Sequence, residues 1–402
     1  MTSHSNGERV SARVDSIEKQ KIRVMFDLAA AYDGDDLVHL ELGEPDFDTP
    51  EHILEAASDA ADSGATHYTP NAGTLELREA LAETIGAESG RTIDPTTQIA
   101  ITTGGVEALH LAIHAVSDPG DEVIVPTPTW PNPISQSKLA SAVPIEVPMP
   151  AEDGFALDPD RVIERIGPQT AAVVLISPSN PTGRVFEPEA IGRVIDAAAA
   201  HEAYVLADET YRELTYGDTP ERIADITDHP EWVLSVGSFS KTYAMTGWRV
   251  GWVSGPEDVL GEITKIHEST TSCVNTPAQH AAVAALRGPQ EPIEAMKREF
   301  ESRREYVVDR LAEIPHLSAV HPEGGFYAFV DVSALDGSSM EIAKRLLYDY
   351  EVVTAPGVAF GDGAEGYLRL SFANDLDRLA TGLDRIESMV EDELGQRTER
   401  ST

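Results

Sequence analysis

The chain has 402 residues and a formal net charge of −39, from 69 Asp and Glu against 30 Lys and Arg, with 41% hydrophobic residues. That length exceeds one ordinary core and suggests two or three domains, while the apolar content belongs to a globular protein, not a disordered one. The charge argues against nucleic acid and anionic membranes as partners, and no apolar run reaches the ~18 residues of a membrane span.

Cys273 is the only cysteine, which excludes an internal disulfide and a multi-cysteine metal site. It reads as a small packed side chain, and no metal is expected. The N-terminal sequence is polar and mixed in charge, without the apolar stretch of a signal peptide, so a cytoplasmic protein is expected. The acidic residues are dispersed through segments with apolar faces. An ordinary solvated acidic surface is one reading; the favoured one is adaptation to a salt-rich cytosol, where screening tolerates the self-repulsion.

Along the chain, residues 1–46 hold a helical stretch, Ile17–Tyr32, and an extended one, Leu37–Leu42. They are too few for a core and are expected to pack on the C-terminal domain. Residues 47–287 form the expected large domain. Strands are predicted at Gln98–Thr103, Glu122–Pro126, Ala171–Ile176, Tyr204–Ala207, Val233–Val236 and Val250–Ser254, and helices at Val106–Val116 and Pro188–His201. Short apolar runs separated by amphipathic helices indicate a doubly wound, mostly parallel α/β sheet. Residues 288–392 form an expected smaller α+β domain. It has helices at Pro292–Ile314, Ser339–Tyr350 and Leu376–Val390, and strands at Leu317–Val320, Phe326–Val330 and Tyr367–Phe372. Residues 393–402 are expected to fray.

The most informative segment is Ser238-Phe-Ser-Lys-Thr-Tyr-Ala-Met-Thr-Gly-Trp-Arg249. It follows a predicted strand, where open α/β sheets place ligands. A lysine there can lose its proton through desolvation and nearby positive charge, then attack an aldehyde. Ser238, Ser240 and Arg249 are suited to a phosphate. A lone Lys241 would more often be a surface lysine. Asp208 closes the strand YVLA, where a carboxylate can keep a pyridine nitrogen protonated, and Tyr211 can donate to a ring oxygen; a plain helix cap is the bland alternative for Asp208. Asn180 sits in Ser177-Pro-Ser-Asn-Pro-Thr-Gly183, whose prolines aim its amide, although a turn-forming Asn would look the same. In Thr102-Thr-Gly-Gly-Val-Glu107 a glycine turn opens a helix, which favours phosphate but also merely makes a turn. Trp130 offers a flat face to an aromatic ring, or fills a core.

Taken together, SPSNPTG, ADETY, SFSK and TGWRVGW, in that order, resemble the class I aminotransferases of fold-type I that use pyridoxal 5′-phosphate. The resemblance runs from Leu42-Gly-Glu-Pro-Asp-Phe47 to Leu368-Arg-Leu-Ser371. It implies that Lys241 carries the cofactor as a Schiff base and moves the proton between Cα and C4′. It implies that Asp208 partners the pyridine nitrogen, that Tyr211 and Asn180 donate to O3′, and that Trp130 stacks on the ring. Gly104, Gly105, Val106, Ser238 and Arg249 match the phosphate cup. Arg369 matches the arginine for the substrate α-carboxylate, and Gly43 the backbone lining that site. Tyr68 matches a tyrosine that reaches the neighbouring subunit's phosphate, implying a homodimer with shared active sites. The thermophile-like aspartate aminotransferases of the family carry a lysine after the two glycines that helps read the distal carboxylate; here that position is Val106, and Arg23 or Lys138 is a candidate replacement.

The function expected is transfer of the amino group of an L-amino acid to a 2-oxo acid such as 2-oxoglutarate. A C–S β-lyase or an aminocyclopropanecarboxylate-synthase-like enzyme shares these residues and is the first competitor. An aminotransferase-like regulator would need a basic DNA-binding domain for which the leader leaves no room. A Rossmann dehydrogenase would need a G-x-G-x-x-G after its first strand.

Overall fold

The computed structural model describes residues 10–34 and 36–400. Its centre is a seven-stranded sheet of β1 (Ile99–Thr102), β2 (Glu122–Thr127), β3 (Val143–Pro148), β4 (Thr170–Ile176), β5 (Tyr204–Asp208), β6 (Val233–Ser238) and β7 (Gly251–Ser254). The spatial order is β1-β7-β6-β5-β4-β2-β3, and only β7 runs against the others. The inner strands are buried on both faces, which is why Ala172-Val-Val-Leu-Ile176 reads as unbroken apolar sequence with no alternation. Helices such as Gly105–Val116 and Pro188–Ala200 bury Leu109, Ile113, Ile191 and Ile195 against the two faces.

A second, four-stranded antiparallel sheet is built from β8 (Ser318–Val320), β9 (Tyr327–Asp331), β10 (Ala355–Pro356) and β11 (Tyr367–Ser371), in the order β10-β11-β9-β8. Helices Glu291–Glu313, Ser339–Tyr350 and Leu376–Arg400 pack beside it. Ser339–Tyr350 starts with a reciprocal capping box between Ser338 and Glu341, satisfying two otherwise unpaired N–H groups. Met25, Ala29, Val38 and Leu40 from the N-terminal region share one apolar cluster with Phe300, Leu346, Leu370 and Leu383. Val38 and His39 also pair in parallel with Val352 and Val353.

Two helices differ from the predicted bounds. The N-terminal one spans Lys21–Ala30, after a separate turn at Ala12–Asp15, because Glu18, Lys19 and Gln20 supply no apolar stripe to bury. The last runs Leu376–Arg400 where the apolar periodicity predicted an end near Val390, and its added residues include the good helix formers Glu, Leu, Gln and Arg. Of residues 393–402, expected to fray, 393–400 continue this helix and 401–402 lie outside the described residues.

Candidate active site

Strands β4, β5 and β6 run in the same direction, so the residues that follow them gather at one edge of the large sheet. Asp208 ends β5, Asn180 follows β4, Ser238 ends β6, and β1 leads through Gly104 into helix Gly105–Val116. Opposite them stands the small sheet, where Arg369 of β11 pairs with Phe329, two residues along β9 from Tyr327. The period of two therefore puts Tyr327 and Arg369 on one face. Between the sheets lies a cleft of about 470 Å³, lined in part by Gln20, Ile22, Arg23 and Phe26 of the N-terminal segment.

Lys241 sits in the short helix Phe239–Thr242, whose start is capped by Ser238 Oγ accepting from the Ser240 N–H at 3.1 Å. Its Nζ donates to the Gly43 carbonyl. Burial, reinforced by the cations Arg369 and Arg249 and opposed by Glu44 and Asp208, brings its ammonium down to about 8. The amine is thus partly neutral near pH 7, as a nucleophile requires.

Asp208 is buried, and its Oδ1 accepts from the Thr210 N–H at 3.0 Å. Burial raises its pKa. Among the described residues no cation lies within 4.0 Å of it, and Lys241 acts on it only across a longer distance, so the buried carboxylate faces the cleft without an ion pair. The Tyr211 and Tyr327 hydroxyls are 2.9 Å apart, and burial raises the pKa of both.

The loop from β1 into its helix is shaped by glycine. A Cβ at Gly104, which has φ +80°, would lie 2.7 Å from Arg249 Nη2. One at Gly251 would lie 2.5 Å from both Gly104 C and Gly105 N. Arg249 itself adopts left-handed backbone at φ 55°, a conformation costing a non-glycine residue about 1 kcal/mol or more, and Arg249 Nη1 donates to the Thr246 carbonyl at 2.7 Å. The first N–H groups of helix Gly105–Val116, Ser238 and Arg249 so surround one concavity suited to an anion.

Arg369 is 2% exposed and carries no carboxylate partner within 4.0 Å among the described residues. Its Nη1 donates to Asn180 Oδ1 at 3.1 Å and its Nη2 to the Glu41 carbonyl at 2.6 Å, while Nε has no partner. Its guanidinium lies 4.3 Å over the Tyr327 ring. A Cβ at Gly43 would come within 2.9 Å of Tyr327 Oη and 4.0 Å of Arg369 Nη2, so glycine keeps that space open. A buried guanidinium with no ion pair, beside open space, suits a carboxylate.

The sequence profile of the family "Aminotransferase class I and II" matches residues 35–386. An aspartate aminotransferase of Pyrococcus horikoshii is 39% identical over 386 residues, covering 96% of this chain and 98% of its own. The aromatic-amino-acid aminotransferase 2 of Thermococcus litoralis is 37% identical, covering 95% and 98%. Among solved structures, the Thermus thermophilus aspartate aminotransferase with maleate superposes with a TM-score of 0.90 at 36% identity, covering 95% of this chain and all of that one. The chain belongs to the class I and II aminotransferases.

It is a pyridoxal-phosphate-dependent aminotransferase, and the cleft fits that cofactor. The unpaired Asp208 carboxylate suits a protonated ring nitrogen, the glycine-lined concavity beside Arg249 suits the phosphate, and Lys241 suits the aldehyde. Of the residues singled out in the sequence, the aminotransferase brings Gly43, Gly105, Val106, Trp130, Asn180, Asp208, Tyr211, Ser238, Lys241, Arg249 and Arg369 to one cleft, with Gly104 directly behind Arg249. Tyr68 is elsewhere, 89% exposed. Lys138 does not line the cleft either; its Nζ donates to the Ser16 carbonyl at 3.4 Å. Sequence reasoning missed Tyr327, Glu44 and Thr210, which line the cleft. Only the Gly324-Gly325 turn ahead of β9 hinted that Tyr327 stands at a close approach.

Proposed function

We propose that Lys241, Asp208, Tyr211, Asn180, Arg249 and Arg369 divide the work of transamination among them, moving an amino group from an L-amino acid to a 2-oxo acid such as 2-oxoglutarate. The observation that carries this division is the set of uncompensated charges, two buried deep and two beside the glycine loop and lysine helix. Asp208 has no cation, and Arg369, Arg249 and Lys241 have no carboxylate within 4.0 Å among the described residues. Burying the unpaired Asp208 and Arg369 is costly, so they are kept for groups that arrive with the cofactor and substrate.

When bound, pyridoxal phosphate supplies an aldehyde and an electron-accepting ring. Lys241 Nζ would be the amine that meets that aldehyde and, when free, the base that takes the proton from substrate Cα. Asp208 would keep its ring nitrogen protonated. Tyr211 and Asn180 would donate to its ring oxygen, Trp130 would offer the ring a flat face, and Gly104, Gly105, Val106, Ser238 and Arg249 would hold its phosphate. Arg369 takes the α-carboxylate in a two-pronged ion pair that orients the Cα–H bond toward Lys241.

The working form is a homodimer in a salt-rich cytosol. Tyr68, exposed in the single chain, reaches the phosphate of the neighbouring subunit in this reading. Borohydride reduction followed by peptide mapping tests the division: the cofactor is expected on the peptide containing Lys241, and Lys241→Ala is expected to lose transamination. Full turnover in that variant would remove Lys241 from its role.

A further inference from the structure

In the reading above a phosphate, doubly charged at neutral pH, settles at the N-terminus of helix Gly105–Val116. Yet the first turn of that helix carries an acid, Glu107. Glu107 Oε2 accepts from the Thr103 N–H at 2.5 Å, one residue before Gly104, and Oε1 accepts from the Thr271 hydroxyl. The carboxylate is thereby fixed beside the glycine loop, where it lines a second cavity together with Val106 and Arg249. Left as a bare charge, it would repel a phosphate and compete with it for Arg249.

His267 answers that charge. It is 1% exposed in helix Glu257–Thr270, with Nε2 3.4 Å from Glu107 Oε2 and Nδ1 2.8 Å from the Asn71 carbonyl. Both neighbours only accept. The carbonyl requires the hydrogen on Nδ1, and a neutral ring would then turn its Nε2 lone pair onto a carboxylate. The imidazolium alone suits both sides. Burial works against that charge, but Glu107 and the Asn71 carbonyl outweigh it and hold the ring's pKa above its ordinary 6.5. Burial also opposes the Glu107 charge, and His267, Thr271 and the Thr103 N–H nonetheless bring its carboxyl down to about 2. Among the described residues no other basic group lies within 4.0 Å of Glu107. Farther along the facing helix, His110 and His114 lie against each other at 4.1 Å, and burial and His114 lower the pKa of His110. On the helix of His267 itself, Lys265 is paired with Glu262 and Glu268 is exposed. Strand β1 and residues 69–73 carry no ionisable side chain.

We propose that His267 is a positioning residue for the cofactor phosphate: as an imidazolium it neutralises Glu107, so the same carboxylate braces the glycine loop without repelling the phosphate that the loop receives. The inference rests on the assignment of that phosphate to Gly104, Gly105, Val106, Ser238 and Arg249. Asn71 holds the ring from the far side, and its Nδ2 donates in turn to the Ser272 carbonyl at 2.7 Å. Because the histidine is the charged partner, its effect is complete below its pKa and is lost as pH rises through it.

The test is equilibrium dialysis of the full-length enzyme against pyridoxal phosphate and, separately, against pyridoxal, with bound ligand read by absorbance. Both bring the aldehyde that meets Lys241, so titration of that lysine cancels and the ratio of dissociation constants isolates the phosphate. His267→Gln is expected to lower the preference for pyridoxal phosphate by about 5- to 30-fold, the worth of a charge at a partly buried helix end. Adding Glu107→Gln to that variant is expected to restore most of the preference, because no bare carboxylate remains. A histidine that merely fills space would leave the double variant no better than the single one. In the parent enzyme the preference is expected to fall by the same factor from about pH 7 to about pH 10, where the phosphate stays doubly charged. In Glu107→Gln it is expected to stay flat, a comparison that holds even where His267→Gln does not fold. An unchanged preference in His267→Gln, no recovery in the double variant, or a flat profile in the parent overturns the proposal. A parent enzyme that binds pyridoxal as tightly as pyridoxal phosphate would overturn the phosphate assignment, and the proposal with it, which separates the two failures.

Discussion

Tyr211, which follows the large sheet, and Tyr327, on the small sheet, meet hydroxyl to hydroxyl at 2.9 Å beneath the cleft. Their rings cross nearly edge to face at a centroid distance of 5.8 Å, and Phe326 packs against both. Tyr327 also lies under the Arg369 guanidinium. The proposed donor for the cofactor ring and the proposed receptor for the substrate carboxylate are thus in one contact chain. Tyr327→Phe keeps the packing and removes the partner of Tyr211, so kcat/KM is expected to fall about 5- to 10-fold, the worth of one buried hydrogen bond. In a double-mutant cycle with Tyr211→Phe the two changes should couple by about 1 kcal/mol. Strictly additive effects would mean that the hydroxyl contact contributes nothing.

Burial lowers the Lys241 ammonium to about 8 from its ordinary 10.5. About one-tenth of the amine is then neutral at pH 7, a fraction several hundred times larger than for an exposed lysine. Capture of pyridoxal phosphate by the cofactor-free enzyme, followed by imine absorbance, is expected to accelerate with pH and level off above about 8. The stability consequence has a definite sign. Between about 8 and 10.5 the unfolded chain binds more protons, so this group's cost to folding is complete below about 8 and disappears as pH rises through 10.5. A capture midpoint near 10 would contradict the burial.

Asp208→Asn retains shape and the contact with the Thr210 N–H but loses the charge proposed to partner the ring nitrogen. The variant is expected to keep bound cofactor, seen by its absorbance, while kcat drops by at least about 100-fold, equivalent to about 3 kcal/mol or more for an unmatched buried charge. Near-normal turnover would leave Asp208 as a structural cap.

Arg369→Lys keeps the positive charge and loses the planar fork, which Asn180 and the Glu41 carbonyl hold in place. Because every amino acid has an α-carboxylate, kcat/KM is expected to fall for all donors together, by roughly 10- to 100-fold. Loss confined to acidic donors would make Arg369 the reader of the side chain.

The charge of −39 per chain doubles when two chains associate. In dilute buffer the Debye length is about 30 Å at 0.01 M, so acidic groups across both subunits repel; at 1 M it is about 3 Å. Dialysis from molar salt into dilute buffer is expected to dissociate the dimer, release the cofactor and abolish activity together, as sizing, absorbance and assay would record. A dimer that stays intact, coloured and active in dilute buffer would show that the acidic surface needs no salt.

The inner strands of the large sheet and most of the chemistry were legible in the sequence because both depend on local pattern. Unbroken apolar runs such as AAVVLI mark strands covered on two faces, and the residues that follow them, Asn180, Asp208 and Lys241, occupy the strand ends by chain order alone. What chain order does not contain is distance. Tyr327 lies far from Lys241 in sequence and carries no local signature, since a tyrosine in a strand is ordinary, and between Arg23 and Lys138 the sequence alone does not say which lines the cleft. Only the packing of Met25 and Ala29 into the small-sheet core turns Arg23 into the cleft, and only the β9–β11 register puts Tyr327 beside Arg369. The same holds for charge. The sequence shows a surplus of acid everywhere, while the tertiary structure decides which cations have no acid beside them, because an ion pair requires approach within a few ångströms and burial sets what its absence costs.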